Sequence, residues 1–368
     1  MGPVTIVGGG NGAHATAGDL ALRQYDVRLF ESSRYAASIA TTREQSGVNL
    51  SGAFSGFAPL SLVTTNAEQA IKGADVVVVV APAFAHESLT EEIIPHLERG
   101  QSVVFNPGAM GSSIRFRRVI GIARPDLEPR DIHVGETASL TYGARLTRPG
   151  AVAIHLVTKN ILFAAFPGTD TKRMFGSVHP LFPGLIRGRH VFDTGLNNGN
   201  PISHPTPTVL NAGQVERFGD KFYLYRDGMT PSVVSALEAV DRERLQLCDQ
   251  VGAALVPVHE RIVSWGYAQP MPTLYESYST SPVYSQIGGP SSLRFRYLSE
   301  DVPFGLVPWA SLAHQLGIEA PGMNAVITLA GLLNGIDYRA TGLTMKGMHL
   351  DRLSREGLTQ YLETGIGG

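Results

Sequence analysis

The chain has 368 residues, of which 43% are hydrophobic and 17% are charged, and its formal net charge at pH 7 is −2. This length and composition indicate a folded globular protein with two domains, and without a basic patch they argue against nucleic acid and anionic membranes as partners. The single cysteine, Cys248, excludes an intramolecular disulfide and fits a reducing cytoplasm. The apolar run at residues 74–83 is too short to span a bilayer, and the chain opens directly into a strand pattern, so we expect neither a membrane span nor a signal peptide.

The first elements predict a dinucleotide-binding turn. A β-branched run at residues 4–7 ends in Gly8–Gly9–Gly10–Asn11–Gly12–Ala13, and a helical stretch follows over residues 14–24. This order of strand, glycine turn and helix is the one that the G-x-G-x-x-[GA] fingerprint requires. Gly8 permits the tight turn, Gly10 lets the backbone approach a pyrophosphate, and Ala13 allows close packing of the helix on the strand. We therefore predict that the cofactor phosphates bind at this helix N-terminus, on Gly8, Gly10, Asn11, Gly12 and Ala13.

The second predicted strand, residues 26–31, ends on an acid that discriminates between nucleotides. Glu31 lies 18 residues after Ala13. A carboxylate there accepts hydrogen bonds from both ribose hydroxyls of an adenosine and repels a 2′-phosphate, so NAD is favoured as the cofactor. The following Ser32, Ser33 and Arg34 would suit a 2′-phosphate, which keeps NADP open. Glu31 and Arg34 are both predicted to contact the cofactor.

Three further apolar runs are typical of parallel strands that are buried on both faces. Their ends are Pro82, Asn106–Pro107–Gly108 and Gly135–Glu136–Thr137. Because ligands of open α/β sheets bind outside the carboxyl ends of the strands, these breaks predict one crevice along one sheet edge. The predicted cofactor contacts in this crevice are Pro82, Asn106, Pro107 and Glu136. Residues 151–155 and 161–166 are predicted to be strands that extend the same sheet.

After about residue 190 the hydrophobic pattern changes to a helical period. A long helix is predicted to start at Thr230–Pro231, and others are predicted over residues 257–265, 311–316 and 322–333, the last ending at Asn334–Gly335. We therefore predict an α/β N-terminal Rossmann domain (residues 1–190, a doubly wound and mostly parallel sheet) followed by an all-α C-terminal domain (residues 191–368). The active site is expected between the two.

One histidine stands in an unusual setting in residues 200–211, the sequence Asn-Pro-Ile-Ser-His-Pro-Thr-Pro-Thr-Val-Leu-Asn. A residue before proline is biased away from the α region, so we expect His204 to be extended. Thr206 then becomes the N-cap and Pro207 the first residue of a helix. Imidazole titrates near neutral pH, so one that is held stiffly ahead of a helix suits proton transfer.

That imidazole needs an anion beside it, because a helix N-terminus disfavours the imidazolium. Asp301 is the predicted partner and Glu300 is the rival, both in residues 294–308, which proline and glycine predict to be a loop. Arg294 and Arg296 are two residues apart on an expected extended stretch and should point the same way. Since arginine grips a carboxylate through two parallel hydrogen bonds, one of them is predicted to orient a 2-oxo acid.

Together, these segments resemble the opine dehydrogenases, most closely the bacterial N-(1-D-carboxyethyl)-L-norvaline dehydrogenase branch beside octopine and nopaline dehydrogenases. The resemblance covers nearly the whole chain, and its most specific part is H-P-x-P-x-x-x-N at His204–Asn211 followed by E-D-V-x-x-G-L-V-P at Glu300–Pro308. It implies a Rossmann domain joined to a helical domain, His204 and Asp301 as the catalytic pair, and Arg296 on the oxo-acid carboxylate.

The resemblance also implies the reaction: an amino acid amine condenses with a pyruvate-like 2-oxo acid, and NADH or NADPH reduces the imine to an N-(1-carboxyalkyl) amino acid. His204 would relay the protons and Asp301 would orient its ring. Asn200 and Tyr275 are predicted to contact substrate. Tyr275, Tyr278 and Met271 are candidates for an apolar side-chain pocket, although a place in the hydrophobic core is the favoured interpretation of these three. No metal site is predicted.

Two alternatives stay open. The same architecture serves 2-hydroxy-acid, ketopantoate and glycerol-3-phosphate dehydrogenases, which usually rely on a lysine, but the lysines here lie in no comparable glycine- or asparagine-rich setting: Lys159, Lys172, Lys221 and Lys346. A nucleotide-sensing protein without turnover is the second, although a sensor has no need of a histidine–aspartate pair. We further predict a cytoplasmic homodimer whose only other partners are small-molecule substrates.

Overall fold

In the computed structural model, which describes residues 1–367, the chain divides into two compact units, Met1–Val191 and Phe192–Gly368. The strands all lie in the first unit: β1 (Val4–Val7), β2 (Val27–Phe30), β3 (Gly47–Gly52), β4 (Gly56–Pro59), β5 (Leu62–Thr64), β6 (Val76–Val79), β7 (Ser102–Phe105), β8 (His133–Thr137), β9 (Tyr142–Arg148), β10 (Ala151–Val157), β11 (Ile161–Phe166) and β12 (Leu185–Arg187). Its helices are α1 (Asn11–Leu22), α2 (Ala40–Glu44), α3 (Ala67–Ile71), α4 (His86–Ile93), α5 (Ser112–Ala123) and α6 (Thr171–Val178), and α7 (Val191–Leu196) begins at its last residue.

The core of the first unit is an eight-stranded sheet in the order β12-β11-β8-β7-β6-β1-β2-β5. Val4 of β1 lies opposite Val27 of β2 on one side and Val76 of β6 on the other, both in parallel register. Every residue of β1, β6 and β7 is buried, as the continuous apolar runs predict. Strand order reverses at β1, which is the position where doubly wound sheets bind nucleotides. The predicted Rossmann architecture is confirmed.

One of the two strands predicted to extend this sheet belongs elsewhere. β11 pairs with β8 in antiparallel orientation and does extend it. β10, which contains residues 151–155, instead joins a separate four-stranded sheet in the order β4-β3-β10-β9. Its parallel partner β3 lies about a hundred residues earlier, with Asn49 opposite Ala151. An apolar run predicts a strand but carries no information about which distant strand it pairs with, so this assignment was wrong.

The second unit is helical, and no strand occurs in its described part, residues 192–367. Its helices are α8 (Asn200–Ser203), α9 (Pro205–Leu210), α10 (Ala212–Phe218), α11 (Pro231–Gln250), α12 (Val258–Ser264), α13 (Leu274–Ser279), α14 (Arg296–Ser299), α15 (Val307–Gln315), α16 (Pro321–Asn334), α17 (Tyr338–Thr341) and α18 (Arg355–Thr364), with π-helical turns at Leu224–Gly228 and Val302–Leu306. As predicted, α11 begins at Pro231 with Thr230 as its N-cap, and α16 ends at Asn334, followed by Gly335 in the left-handed region at φ +65°.

The local conformation predicted for His204 is wrong. The residue is not extended, since it lies in the right-handed helical region at φ −106°, ψ −58°, as the junction between α8 and α9. Pro205, not Pro207, is the first residue of α9, and Thr206 lies inside the helix. Two backbone hydrogen bonds hold this arrangement, from the His204 N–H to the Asn200 carbonyl and from the Thr208 N–H to the His204 carbonyl. They outweigh the bias against helical conformation before proline.

The stretch at residues 294–308 is likewise more helical than the predicted loop. Arg296 is the first residue of α14, so Arg294 and Arg296 do not share one extended strand. The π-helical turn Val302–Leu306 then leads directly into α15 at Val307, four residues before the predicted start of that helix. Proline at the first positions of each helix is compatible with helix because its missing N–H is unpaired there anyway.

Candidate active site

The glycine turn after β1 has the shape that a pyrophosphate requires. Gly8 has φ +128°, and a Cβ there would lie 2.3 Å from the Val80 carbonyl oxygen, so the turn tolerates only glycine. Gly10 is the N-cap of α1, and a Cβ placed on it would meet nothing within 4 Å. The start of α1 is therefore open at Gly10, which fits the approach of a dinucleotide phosphate to this helix N-terminus. The Asn11 side chain points elsewhere, because its Oδ1 accepts a hydrogen bond from the Leu146 N–H at 2.9 Å.

At the end of β2, two carboxylates lie near one another. Glu31 is 8% exposed, and its Oε1 accepts a hydrogen bond from the Ser32 N–H at 2.8 Å. Ser32 Oγ donates to Glu92 Oε1 of α4 at 2.7 Å. Burial raises the pKa of Glu31, backbone N–H groups of Ser32 and Gly9 oppose this, and the negative charge of Glu92 adds to it. The Ser32 hydroxyl, one of the groups predicted to suit a 2′-phosphate, is therefore engaged by an acid, while Arg34 is exposed.

Two other residues predicted to contact the cofactor, Asn106 and Glu136, are hydrogen-bonded to neighbouring residues of the protein. Asn106, which follows β7, makes two hydrogen bonds with Thr141 in the loop before β9. Its Nδ2 donates to Thr141 Oγ1 at 2.9 Å, and its Oδ1 accepts from the Thr141 N–H at 3.2 Å. Glu136 is buried, and its Oε2 accepts from both the N–H and the Oγ of Ser113 at the start of α5. Pro82, after β6, is exposed and precedes a short 3₁₀ turn. Cofactor contact by these residues and by Pro107 remains a prediction.

In the helical unit, His204 and Asp301 form a buried pair. His204 Nδ1 lies 2.7 Å from Asp301 Oδ2, across 97 residues of sequence, and their side chains are 7% and 4% exposed. A carboxylate on Nδ1 fixes the ring orientation and leaves Nε2 as the nitrogen for proton exchange with a substrate. Asp301, rather than its rival Glu300, is thus the residue on the imidazole.

A glycine, Gly305, allows the segments that carry His204 and Asp301 to pack closely. A Cβ on Gly305, in the π-helical turn after Asp301, would lie 2.2 Å from Cγ of Pro201 in α8. Only glycine lets α8 pack this closely against the turn. Ser203 is fixed from another side, because its Oγ lies 3.0 Å from the Tyr278 hydroxyl. The helix that leads into His204 is therefore held by two contacts, one at Pro201 and one at Ser203.

Aromatic rings surround the imidazole. Tyr297 of α14 stacks on it with ring centroids 3.8 Å apart and planes at 15°. The Tyr225 ring centroid lies 6.3 Å from that of His204 at a tilt of 59°, and it lies 4.5 Å from the ring centroid of Tyr284. These rings exclude water from the pair, and such exclusion strengthens electrostatic interactions within the site.

Burial shifts the pKa values of both His204 and Asp301. It lowers the pKa of His204 well below its usual value, an effect that positive Arg296 reinforces and Glu300 opposes. It raises the pKa of Asp301 to about 7, with Arg296 opposing. Because an isolated charge on either group is disfavoured, the two groups titrate as one unit. With its shared proton the pair holds two protons and no net charge, and after losing it the pair holds one proton and one negative charge.

The predicted substrate contacts are distributed unevenly around this pair. Arg296 is 47% exposed and lies 3.7 Å from Glu300 Oε2, so its guanidinium is accessible to a ligand. Arg294 is exposed. Asn200 begins α8, and its N–H donates to Asn198 Oδ1 at 3.0 Å. Tyr275 is 37% exposed on the outer face of α13, and it is Tyr278, one turn later, that packs against Ser203. The structure therefore favours Tyr278 over Tyr275 as a residue of the site.

No sequence pattern pointed to several of these neighbours. Tyr225 and Tyr297 contact His204, and Tyr284 contacts Tyr225, through tertiary contacts alone. Within residues 1–367, no cluster of three or more His, Cys, Asp or Glu side chains is arranged to hold a metal ion. None of the helices in that range combines the length and the apolar character needed to cross a membrane.

Comparison with known proteins gives the same picture for both units. The family described as NAD/NADP octopine/nopaline dehydrogenase, alpha-helical domain, matches residues 187–334, and NADP oxidoreductase coenzyme F420-dependent matches residues 3–105. An opine dehydrogenase of Arthrobacter sp. (strain 1C) is 32% identical over 97% of this chain and 98% of that protein. A tauropine dehydrogenase of Arabella iricolor is 26% identical over 92% of this chain and 93% of its own. An octopine dehydrogenase solved with NADH and L-arginine has a TM-score of 0.77 at 19% identity, covering 98% of both chains.

Proposed function

Since the chain belongs to the opine dehydrogenase family of NAD(P)-dependent oxidoreductases that act on CH–NH groups, we propose that His204 and Asp301 move the protons of its reaction. The proposed substrates are an amino acid and a 2-oxo acid such as pyruvate. The observation that carries the proposal is the buried 2.7 Å contact between His204 Nδ1 and Asp301 Oδ2. It provides a general acid–base whose imidazolium has a carboxylate counterion at hydrogen-bonding distance, and this counterion offsets the cost of burying the charge.

The steps follow from ordinary carbonyl chemistry. The amine nitrogen attacks the ketone carbon; His204 Nε2 gives a proton to the oxygen and takes one from the nitrogen, which leaves a neutral carbinolamine with a lone pair on nitrogen. His204 then gives that proton to the hydroxyl, which leaves as water while the nitrogen lone pair forms the C=N bond of the protonated imine. Asp301 accepts the hydrogen bond from Nδ1 throughout and balances the positive charge of the imidazolium. When the nicotinamide cofactor is bound, it supplies the hydride that reduces the imine carbon.

Arg296 supports the proposal as the cation for the oxo-acid carboxylate. Its side chain is half exposed and begins the same one-turn helix, α14, that carries Tyr297 against His204. A guanidinium holds a carboxylate through two parallel hydrogen bonds, and this would fix the carbonyl carbon relative to the histidine. Glu300, 3.7 Å from Arg296, would keep the guanidinium in place before substrate binds.

For the cofactor, we propose that NADH is used in preference to NADPH. Glu31 occupies the end of β2, and Glu92 engages the hydroxyl of Ser32. Two carboxylates at this position disfavour an additional phosphate by like-charge repulsion. Ser33 and Arg34 are both exposed, and a 2′-phosphate would have to recruit them against that repulsion.

The experiment is NADH oxidation with pyruvate, with and without a mixture of the twenty amino acids. Oxidation that requires both substrates is expected, and single amino acids then identify the partner. Oxidation with pyruvate alone would instead indicate a hydroxy-acid dehydrogenase, and NADH binding without any oxidation would indicate a sensor. The pair is then tested with H204A, discussed below.

We also propose that the enzyme works in the cytoplasm as a homodimer. Cys248 is the single cysteine of the chain, so the fold uses no intramolecular disulfide, which fits a reducing compartment. Light scattering after size-exclusion chromatography measures the mass, and a single species of one chain, 39.4 kDa, would exclude the dimer.

A further inference from the structure

Two fully buried arginines lie near one another in the helical unit. Only one of them finds hydrogen-bond acceptors in the described part of the protein. Arg244 of α11 donates to Asp241 Oδ1 at 2.8 Å, to Asn197 Oδ1 at 3.0 Å and to the carbonyl oxygen of Val256 at 2.7 Å. Arg261 of α12 is 1% exposed, yet no acceptor in residues 1–367 reaches its Nε, Nη1 or Nη2. A guanidinium has five N–H donors, and burying them without acceptors is costly.

The surroundings of Arg261 do not compensate its charge. Burial, reinforced by the positive charge of Arg244, lowers the pKa of Arg261 to about 10. Asp241 attracts it, but that carboxylate is already occupied on both oxygens, by Arg244 and by the Val258 N–H at 2.8 Å. The Trp265 ring, 5.6 Å from Cζ, contributes only a cation–π contact. A carboxylate with two acceptor oxygens is the group that matches the unused donors.

Arg261 also lies close to the segment that carries the catalytic pair. A Cβ on Gly199, the N-cap of α8, would lie 3.5 Å from Arg261 Nε, so the backbone that leads into His204 passes directly beside the guanidinium. Tyr278 is near enough to act electrostatically on Arg261, and its hydroxyl lies 3.0 Å from Oγ of Ser203, the residue before His204. The unsatisfied cation is thus linked to the segment that carries His204 through Gly199 and through Tyr278 and Ser203.

We propose that Arg261 binds the α-carboxylate of the amino-acid substrate. This inference rests on the proposed function, in which each substrate contributes one carboxylate to the product. Arg296 serves the carboxylate of the oxo acid, and Arg261, beside Gly199 at the start of α8, is a buried cation whose donors meet no acceptor in residues 1–367. Its planar fork takes a carboxylate through two hydrogen bonds, and this would place the amine of the same molecule toward His204.

The test compares the two substrates in R261Q and R261K. Removing one partner of a buried charge pair weakens binding by roughly 30-fold or more. We expect R261Q to raise KM for the amino acid by at least that factor while KM for pyruvate and NADH changes less than about threefold. R261K keeps the positive charge but lacks the two parallel N–H donors of a guanidinium. We therefore expect a smaller rise in KM for the amino acid, about tenfold.

A second comparison removes the carboxylate from the substrate instead of the cation from the enzyme. Each probe pair is an amino acid and the amine left when its carboxylate is removed: L-arginine and agmatine, L-phenylalanine and 2-phenylethylamine, or L-norvaline and butylamine. The pair chosen is the one with which wild type oxidises NADH fastest. Wild type should prefer the amino acid over its decarboxylated amine, and R261Q should lose most of that preference. An unchanged preference in R261Q would overturn the proposal.

R244Q is the matched control, because it removes a buried arginine that the protein already satisfies. It should lower Tm and leave the preference for the carboxylate as in wild type. If R261Q, like R244Q, lowers Tm but keeps the preference for the carboxylate, Arg261 is a structural cation and the proposal fails. The proposal also fails if neither Arg261 variant folds. Failure of the function is seen separately, since wild type would then show no NADH oxidation dependent on both substrates.

Discussion

Tyr297 lies flat on the imidazole of His204, with the ring centroids 3.8 Å apart and the planes at 15°. The contact restricts rotation of the imidazole and shields the hydrogen bond to Asp301 from water. Aromatic stacking of this kind is worth about 0.5–1.5 kcal/mol. We expect Y297A to lower kcat about tenfold with the dissociation constant of NADH unchanged, measured by fluorescence. Y297F keeps the ring and should stay within about threefold of wild type; an equal loss in both variants would mean that the hydroxyl, not the stacking, matters.

Removal of the imidazole tests the proton relay itself. H204A should reduce kcat by about 10²–10⁴, the usual contribution of general acid–base catalysis. D301N keeps the size of the partner but not its charge and should cost a comparable factor, because the imidazolium loses its counterion. Both variants should bind NADH as wild type does. Turnover unchanged at saturating NADH, with weakened NADH binding, would contradict the assigned role.

The shared titration of the pair predicts how activity depends on pH. Burial raises the pKa of Asp301 to about 7, so the pair keeps its second proton up to that pH and loses it above. The deprotonated pair is the base needed for oxidation of the opine product by NAD⁺. We therefore expect kcat/KM for opine oxidation, measured between pH 5.5 and 9, to rise through about pH 7. In D301N this rise should move or vanish; a wild-type profile flat across pH 7 would refute the titration proposed here.

The two glycines of the nucleotide turn should respond differently to the same substitution. In G8A the new Cβ would lie 2.3 Å from the Val80 carbonyl oxygen at φ +128°, so backbone strain should lower Tm by about 10 °C. In G10A the Cβ would meet no protein atom within 4 Å, so the fold should keep its Tm. Its NADH affinity should nevertheless fall about tenfold or more, because the methyl occupies the space proposed for the pyrophosphate. Calorimetry and NADH fluorescence give both quantities, and normal NADH binding by G10A would place the phosphates elsewhere.

Cofactor preference should depend on Glu92 as well as on Glu31. Neutralising one carboxylate near a 2′-phosphate removes roughly 1 kcal/mol of repulsion. E92Q should therefore raise kcat/KM for NADPH about three- to tenfold with little change for NADH. E91Q is the control, since Glu91 is the exposed neighbour on the same helix. Equal effects of the two substitutions would show that net charge, and not the contact with Ser32, governs the preference.

Local patterns in the sequence determined the Rossmann architecture, the glycine turn and the acid at the end of β2. Continuous β-branched runs bury both faces of a parallel strand, and a strand followed by a glycine turn has few structural alternatives. The sequence also named the histidine and the aspartate, through motifs that resemble a known family. It misjudged the backbone at His204, because hydrogen bonds across α8 and α9 outweigh the preference of a residue before proline.

Only the tertiary structure decided which residues surround the pair. Gly305 matters because Pro201 packs against it, Tyr297 because it stacks on the imidazole, and Arg261 because no acceptor reaches it. Each of these relationships joins segments that are distant in the chain or depends on the burial of a whole unit. A sequence pattern records the preference of a residue for its own backbone, whereas contact, burial and the pKa shifts that burial causes exist only once the chain has folded.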